Sequence, residues 1–432
     1  MARERELAAP APVTTPVPAG ARPRAGLPSR ETFAALQNPN FRWLWLHTMT
    51  FSLVQGMQRF AFVWLVLDIS DRDAAAGIVT FCLGIPVFLF SLPAGVFADR
   101  VSRRTLLLGS QAVGIVFTAL AATVVLAGEA SLFFSYAMAV GVGAAIAFGQ
   151  PVRQAILPSL VDRSTLMNAI VLNTLGMNIM FIVGPALGGG AIAAFGIGGG
   201  FAMQTVIMVA GAALLIPLRL PPRPPDAAPK RKPIAELFDG LSFVARNRNI
   251  ALLILLLMLT GIFMMGPSSA LIPQVAKENL GKDALAASML FTFTGLGMLV
   301  TSLWLASQRS MRNKGAVFMG AVIAGGILIA AIGLSQWYLL TAALMFAWGG
   351  GGGFFINLNQ TLVQGSTPDK YMGRVMSVHT LGFMGFAPMG ALLSGAMAAV
   401  IGASEWMAVS GVALTCMALL IFATQGALRR ME

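Results

Sequence analysis

The chain has 432 residues, of which 57% are hydrophobic and 11% are charged, with a formal net charge of +12. A soluble protein of this length needs many more charged side chains to cover its surface, so the composition excludes an ordinary water-soluble fold. Apolar segments of about 20 residues recur along the chain and predict helices that cross a bilayer.

Residues 1–32 alternate Ala, Pro and Arg, which predicts a disordered cytoplasmic tail and not a signal peptide. Twelve predicted spans follow, at 43–67, 75–97, 105–127, 131–150, 166–195, 198–219, 249–273, 285–307, 316–334, 337–362, 373–400 and 404–426. A Pro-rich, basic linker over 220–248 separates an N-terminal half, 33–219, from a C-terminal half, 249–432. The linker ends in IAELFDGLSFVARN, which predicts an amphipathic surface helix. The fold class is therefore all-α, with six spans in each half.

The positive charges favour one side of the membrane. If the N-terminus is cytoplasmic, all but four of the 29 Lys and Arg residues fall in the tail, the cytoplasmic loops or the C-terminus. The exceptions are Arg59, Arg72, Lys277 and Lys282. This bias predicts a multi-pass protein of a cell membrane, in a bacterium the inner membrane, with both termini in the cytoplasm. It also favours anionic lipid over nucleic acid as the partner of the basic run at 230–232.

Arg59 is the one Arg or Lys well inside a predicted span, and no Asp or Glu lies at mid-depth in any span. Gln55 lies one turn away on the same helix face. Two interpretations stay open: carbonyls and amides satisfy Arg59, or a substrate supplies the acceptor, which favours anionic or acceptor-rich compounds. The other candidates for a polar substrate cavity are Asn173, Asn178, Gln204 and Asn357.

Four charges stand within six residues at the end of span 2, in the stretch GVFADRVSRR. This stretch resembles the loop signature between helices two and three of the major facilitator superfamily, with Ser102 where a Gly is usual. The matching residues are Gly95, Asp99, Arg100, Arg103 and Arg104. GPALGG at 184–189 is similar to the helix-five motif of the antiporter branch. The run QPVRQAILPSLVDRSTLMNAIVLN resembles the subgroup of enterobactin-type siderophore exporters and macrolide efflux proteins.

Asp99 is a candidate conformational latch. A carboxylate at this position can pair with the loop arginines or lie against a helix N-terminus of the other half. The resemblance implies the start of span 11, near Gly373, as that partner. Such a contact forms only when the cytoplasmic ends close, so it would favour the outward-facing state by about 1–3 kcal/mol. The alternative is that the arginines simply hold the loop in the cytoplasm.

Span 5 contains four small or rigid residues within one and a half turns. Gly184, Pro185, Gly188 and Gly189 permit close helix approach and a bend, because they remove side-chain bulk or a backbone donor. We expect a hinge or a seal at this position, and generic helix packing is the alternative.

Two six-helix halves are the usual construction of secondary transporters, with the substrate site between them. The sequence predicts an exporter of amphipathic small molecules such as drugs, siderophores or secondary metabolites, working by alternating access. A carrier of lysolipid or other lipid-like substrate, or an uncoupled or importing facilitator, is the alternative. The chain has no paired carboxylates, metal cluster or nucleophile elbow, so we expect no enzyme, metal or cofactor. We also expect a monomer.

The proton gradient is the expected energy source, although the titratable groups are few. His379 and Asp99 are the candidate proton carriers. Carboxylates near helix ends, such as Asp68 and Glu405, are the other titratable options, and Ala137 stands where the antiporter pattern of helix four has an arginine.

Overall fold

A computed structural model describes residues 30–220, 233–308 and 313–431, and at 30–33, 91–100, 233–237 and 306 it describes the backbone alone. The N-terminal half begins with a 3-10 helix, Arg30–Gln37, so the last residues of the predicted tail are helical. The rest of that tail, the first part of the linker and residues 309–312 lie outside the described residues. Five helices complete the half: α1 Pro39–Ile69, α2 Ala74–Arg100, α3 Arg103–Leu126, α4 Leu132–Leu160 and α5 Leu166–Ala213.

The long helix α5 consists of two arms that meet at Gly196. This residue has φ 72° and ψ 174°, a conformation that only glycine adopts readily. The chain turns there, so that one arm supplies the fifth predicted span and the other supplies the sixth.

The C-terminal half begins with the linker helix, α6 Pro233–Arg246. A single crossing then consists of α7 Arg248–Thr260, a π-helical turn Gly261–Met265 and α8 Gly266–Glu278. The remaining helices are α9 Ala284–Ser307, α10 Lys314–Leu334, α11 Tyr338–Gly365, α12 Met372–Ile401, α13 Ala403–Thr424 and α14 Gly426–Arg429, with a 3-10 turn Asp369–Tyr371 before α12.

The described residues contain the predicted number of crossings. Ten helical stretches are long and apolar enough to span a membrane, and α2 adds a shorter apolar helix, Ala74–Phe90. One of the ten is α5, which crosses twice because it turns at Gly196. The prediction of an all-α fold with twelve spans is therefore confirmed.

The predicted end of span 4 is wrong by ten residues. Helix α4 continues to Leu160 through Pro151 and Pro158, because neighbouring helices can satisfy the backbone groups that proline frees. Arg153, which the charge count placed in a loop, therefore lies inside the helix with 5% of its surface exposed. Arg59 is not the only arginine within a span.

Alternating helix directions give the bundle two ends. The linker, the α2–α3 loop and the α11–α12 loop lie at one end, which we name the linker end. The α1–α2, α3–α4 and α8–α9 loops lie at the opposite end, which we name the far end. The distribution of Lys and Arg along the sequence predicts that the linker end faces the cytoplasm.

The two halves pack most closely near the far end. A Cβ on Gly77 of α2 would lie 2.5 Å from the Cα of Gly395 in α12. Similarly, a Cβ on Gly189 of α5 would lie 2.5 Å from the Cβ of Ser288 in α9. Backbone therefore meets backbone or a very small side chain at both places.

We expect Gly184→Ala to destabilise the protein, because the added methyl would lie 2.7 Å from the Leu53 carbonyl oxygen and 3.0 Å from the Gly56 Cα. Overpacking of this kind costs about 1–3 kcal/mol. The matched control is Gly190→Ala in the same helix, where the nearest atom is Leu285 Cδ1 at 3.9 Å. Thermal unfolding in detergent should show a lower Tm for Gly184→Ala alone, and equal Tm values would contradict the packing described here.

Candidate functional site

Polar side chains connect the two halves at the far end. Gln274 of α8 donates to Oδ1 of Asp73, the residue just before α2, over 2.7 Å, and Lys277 donates to the Leu67 carbonyl oxygen. Nearer mid-depth, Thr292 of α9 donates to the Ile182 carbonyl oxygen at 3.1 Å. Among the described side chains, these are the hydrogen bonds that join one half to the other. The halves are therefore held together from mid-depth to the far end.

The opposite end of the interface carries exposed polar side chains. Asn357 and Gln360 of α11 and Thr380 of α12 are all exposed, toward the linker end of their helices. Amides at this depth are costly against lipid and generally face a bundle interior or a water-filled cavity. Their exposure indicates a central cavity that opens at the linker end.

Arg59 projects from the middle of α1 with an unusual environment. Between Val54 and Leu67 it is the one exposed side chain, and every neighbour on either side is buried. Its guanidinium lies 5.7 Å from the Phe181 ring centroid on α5. The adjacent residue, Phe60, packs edge-on against Phe291 of α9 at 6.4 Å, so this part of α1 lies at the junction of the halves. We infer that Arg59 faces the central cavity.

A pocket lies beside this cavity, between α1, α4 and the first arm of α5. Its polar lining consists of Thr48, Ser52, Gln55, Gln150, Arg153, Gln154 and Asn173. The Arg153 guanidinium stacks on the Phe51 ring, with Cζ 3.3 Å from the centroid. Its Nη2 is buried and has no hydrogen-bond partner among the described residues. The sequence analysis missed this residue, although Val152, Ile156 and Leu160 continue the apolar helical spacing past position 150.

The predicted cavity residues fall into different environments. Gln55 and Asn173 line the pocket, and Asn173 also donates to Met177 Sδ at 3.5 Å. Asn178 is half-buried on the same helix arm, and Asn357 is exposed but donates to the Gly353 carbonyl oxygen at 2.7 Å. Gln204 has no exposed surface, and neither atom of its amide has a partner among the described residues. Gln204 is therefore closed off from the cavity in this state.

The small residues of α5 contact two different helices. Gly184 and Pro185 lie against Gly56 of α1, and Gly188 lies against Met57. Gly189 instead faces Ser288 of α9 in the other half. The first three positions bring α1 and α5 together within one half, whereas Gly189 is part of the contact between halves.

The structure describes the side chains of only some of the candidate latch residues. The side chains of Gly95, Asp99 and Arg100 lie outside the described residues. Arg103 donates to the Ala155 carbonyl oxygen and Arg104 to the Ile216 carbonyl oxygen, each at 3.1 Å. Both arginines thus bind backbone within the N-terminal half.

The linker helix α6 covers the start of α12. Asp239 forms an ion pair with Arg374 at 3.4 Å, and Phe243 stacks on Tyr371 with centroids 4.2 Å apart. Gly240 packs against the Arg374 backbone, where a Cβ would lie 2.7 Å from the carbonyl oxygen. This is the region that the family resemblance implies as the partner of Asp99, and α6 packs directly against it.

His379 belongs to a hydrogen-bonded chain in the C-terminal half. Its Nε2 lies 2.7 Å from the Asn359 side-chain oxygen and donates to it, and Asn359 Nδ2 donates to the Leu253 carbonyl oxygen at 3.1 Å. The second histidine, His47, is completely buried on α1 and donates from Nδ1 to the Gly211 carbonyl oxygen at 3.0 Å. Its Nε2 has no partner among the described residues.

Two packed six-helix halves with a polar cavity between them define a secondary transporter of the major facilitator superfamily. The sequence matches the family described as transmembrane secretion effector over residues 30–432, and the chain belongs to that family.

The sequence can be aligned with those of two named transporters over most of its length. The enterobactin exporter EntS of Citrobacter koseri is 26% identical over 396 residues, covering 91% of this chain and 93% of the relative. The staphyloferrin A transporter of Staphylococcus aureus is 25% identical over 380 residues, covering 83% and 89%.

Solved transporter structures share the fold at low sequence identity. The nucleoside transporter NupG has a TM-score of 0.73 at 13% identity, covering 89% of this chain and 98% of its own. A bacterial homologue of the human lysosomal transporter Spinster, in an inward-facing and occupied conformation, has a TM-score of 0.69 at 14% identity, covering 94% and 98%.

We expect Gly395→Leu to open the far end. Backbone atoms of Ala74 and Gly77 lie 2.8 Å from the position of its Cβ, so the larger side chain cannot fit while the halves are closed there. A penalty of about 1–3 kcal/mol on this state alone raises the far-end-open fraction about fivefold or more.

Spin labels at the exposed Glu129 and Trp337, in far-end loops of the two halves, would report the separation after the two cysteines are replaced by Ala. Electron–electron distance measurements should show a larger long-distance population in Gly395→Leu. The matched control is Gly320→Leu, where the added Cβ meets no atom within 4 Å. A folded Gly395→Leu protein with the wild-type distances would contradict the claim that the Gly77–Gly395 contact keeps the far end closed.

Proposed function

We propose that this protein is an inner-membrane exporter of amphipathic small molecules that are rich in acceptor oxygens, as siderophores are. The observation that carries the proposal is the exposed Arg59 on an otherwise buried stretch of α1. A guanidinium presents five donors and no acceptor, so it selects carboxylate, catecholate or carbonyl oxygen. The names of the relatives, an enterobactin exporter and a staphyloferrin A transporter, support the same chemical class.

Transport follows alternating access in this proposal. Substrate enters the central cavity from the linker end while the glycine contacts close the far end. The halves then rock against each other, so that the linker end closes and the far end opens. The state with the linker end closed is stabilised by Asp99 together with Gly95, Arg100, Arg103 and Arg104. The hinge for this movement is the α5 segment that contains Gly184, Pro185, Gly188 and Gly189.

The direction of transport follows from the orientation. The positive-inside bias assigns the linker end and both termini to the cytoplasm, so loading at the linker end is loading from the cytoplasm. The protein acts as a monomer, because one chain contains both halves of the cavity, and it performs no catalysis.

Proton antiport drives the export. No carboxylate lies at mid-depth in the spans, so the proton is carried by His379 or by Asp99. Protonation of His379 changes its hydrogen bond to Asn359 and thereby the contact between α12, α11 and α7.

We expect Arg59→Gln to lose transport of anionic compounds selectively. Everted vesicles containing the protein would be supplied with 5-carboxyfluorescein as the anionic probe and rhodamine 123 as the cationic probe. Loss of one charge-assisted contact of about 1.4 kcal/mol lowers anion uptake about tenfold and leaves the cation unaffected.

The control for this test is Arg72→Gln, because Arg72 is exposed in the α1–α2 loop at the far end. It should leave both probes unchanged. Equal loss of both probes in Arg59→Gln, together with a lower yield of folded protein, would show a structural role instead. If wild-type vesicles move neither probe but exchange lysolipid, the lipid-like substrate class would replace the proposed one.

A further inference from the structure

The pocket between α1, α4 and α5 contains a cation that the structure leaves without an acceptor. Arg153 has 5% of its surface exposed, and its buried Nη2 makes no hydrogen bond within the described part of the chain. No described carboxylate forms an ion pair with it. An uncompensated buried charge costs several kcal/mol, so the position requires either strong packing or a ligand that supplies the missing acceptor.

Phe51 packs against one face of the guanidinium, and the two terminal nitrogens, Nη1 and Nη2, lie beside Gly149 of the same helix. Phe51 lies against that face at 3.3 Å from Cζ, a cation–π contact worth about 2 kcal/mol when desolvated. The ring contributes no hydrogen-bond acceptor, and it holds the plane of the guanidinium in one orientation. The edge that carries Nη2 therefore keeps its donor capacity.

The neighbours of Arg153 suit an oxyacid. Gln55, Gln150, Gln154 and Asn173 line the same pocket, and their amides can donate to the remaining lone pairs of a carboxylate. Gln154 is exposed and Asn173 is half-buried, so the pocket is open to solvent on that side, and Gln154 lies six residues before the end of α4 at the linker end. A bound anion would thus be desolvated on the Arg153 side and hydrogen-bonded by amides on the other sides.

The two arginines are arranged along one helix. Phe51, which marks the position of Arg153, and Arg59 are eight residues apart on α1, which corresponds to about 12 Å along the helix axis. Gln55 lies between them. A ligand that extends along α1 from the linker end could therefore contact both guanidinium groups with two separate acidic groups.

We propose that Arg153 forms a second anion subsite, which binds a carboxylate or other deprotonated oxygen of the transported molecule. The inference rests on the proposed function, and it narrows the substrate class to compounds with at least two separate acidic oxygen groups. Arg153 binds the group nearer the linker end and Arg59 binds the group at mid-depth.

The test measures binding of 5-carboxyfluorescein and rhodamine 123 to the full chain in nanodiscs by fluorescence anisotropy. Arg153→Gln should raise the Kd of the anionic dye at least tenfold and leave the Kd of the cationic dye unchanged or lower. Arg153→Lys, which keeps the charge but not the planar fork, should restore part of the affinity. Arg163→Gln is the matched control, because it removes a positive charge from the exposed α4–α5 loop nearby.

A second variant covers the case in which Arg153→Gln does not fold. Asn173→Leu keeps Arg153 in place and fills the pocket with an apolar group, so it should weaken the anionic dye by a similar factor. An unchanged Kd for the anionic dye in either folded variant would overturn the subsite. Equal weakening of both dyes would also overturn it, because a merely structural residue does not discriminate by charge.

The same variants separate this inference from the proposed function. If wild-type vesicles transport neither anions nor cations, the proposed function fails. If the wild type transports 5-carboxyfluorescein and Arg153→Gln does so with the same KM and rate, the proposed function stands and the subsite at Arg153 fails.

Discussion

Close backbone contact between the two halves at the far end determines the state of this transporter. Gly77 and Gly395 allow α2 and α12 to touch, and Gly189 does the same for α5 against Ser288 of α9. Lipid gives no hydrophobic drive for helices to associate, so such contacts depend on van der Waals packing and a few hydrogen bonds. Packing of this kind is tight when the surfaces fit but involves no covalent or ionic lock, which suits a contact that must open in every cycle.

The far-end contact determines from which side the polar residues of the interface can be reached. While it is closed, the central cavity opens toward the linker end, and two of the described arginines, Arg59 and Arg153, lie within the spans beside it. Neither forms an ion pair with a described carboxylate, and each has an aromatic ring beside it, Phe181 and Phe51 respectively. Their charge is thus compensated poorly by the protein. In the proposed function, this electrostatic character favours an acidic amphiphile over a cation.

Much of the fold could be predicted from the sequence, because hydropathy and helix length report directly on membrane crossing. The twelve spans and the halves follow from that. The buried position of Arg153 within α4 could not be predicted, because a hydropathy pattern ends a span at the first polar cluster, and PVRQ at 151–154 has the composition of a loop. The sequence could not predict which end of the cavity is closed either, because both states of such a carrier contain the same helices. The packing of α6 on Arg374 and Tyr371 required tertiary structure as well.

The most direct test of alternating access holds the far end closed. Asp73→Cys and Gln274→Cys would replace two side chains that meet at 2.7 Å across the halves, in a protein whose Cys82 and Cys416 are replaced by Ala. A bismaleimide with a disulfide in its spacer would then join the pair, so that reduction of this disulfide separates the two halves again. The account predicts that the cross-linked protein still binds 5-carboxyfluorescein, does not transport it, and regains transport on reduction. Unchanged transport by the cross-linked protein would contradict it.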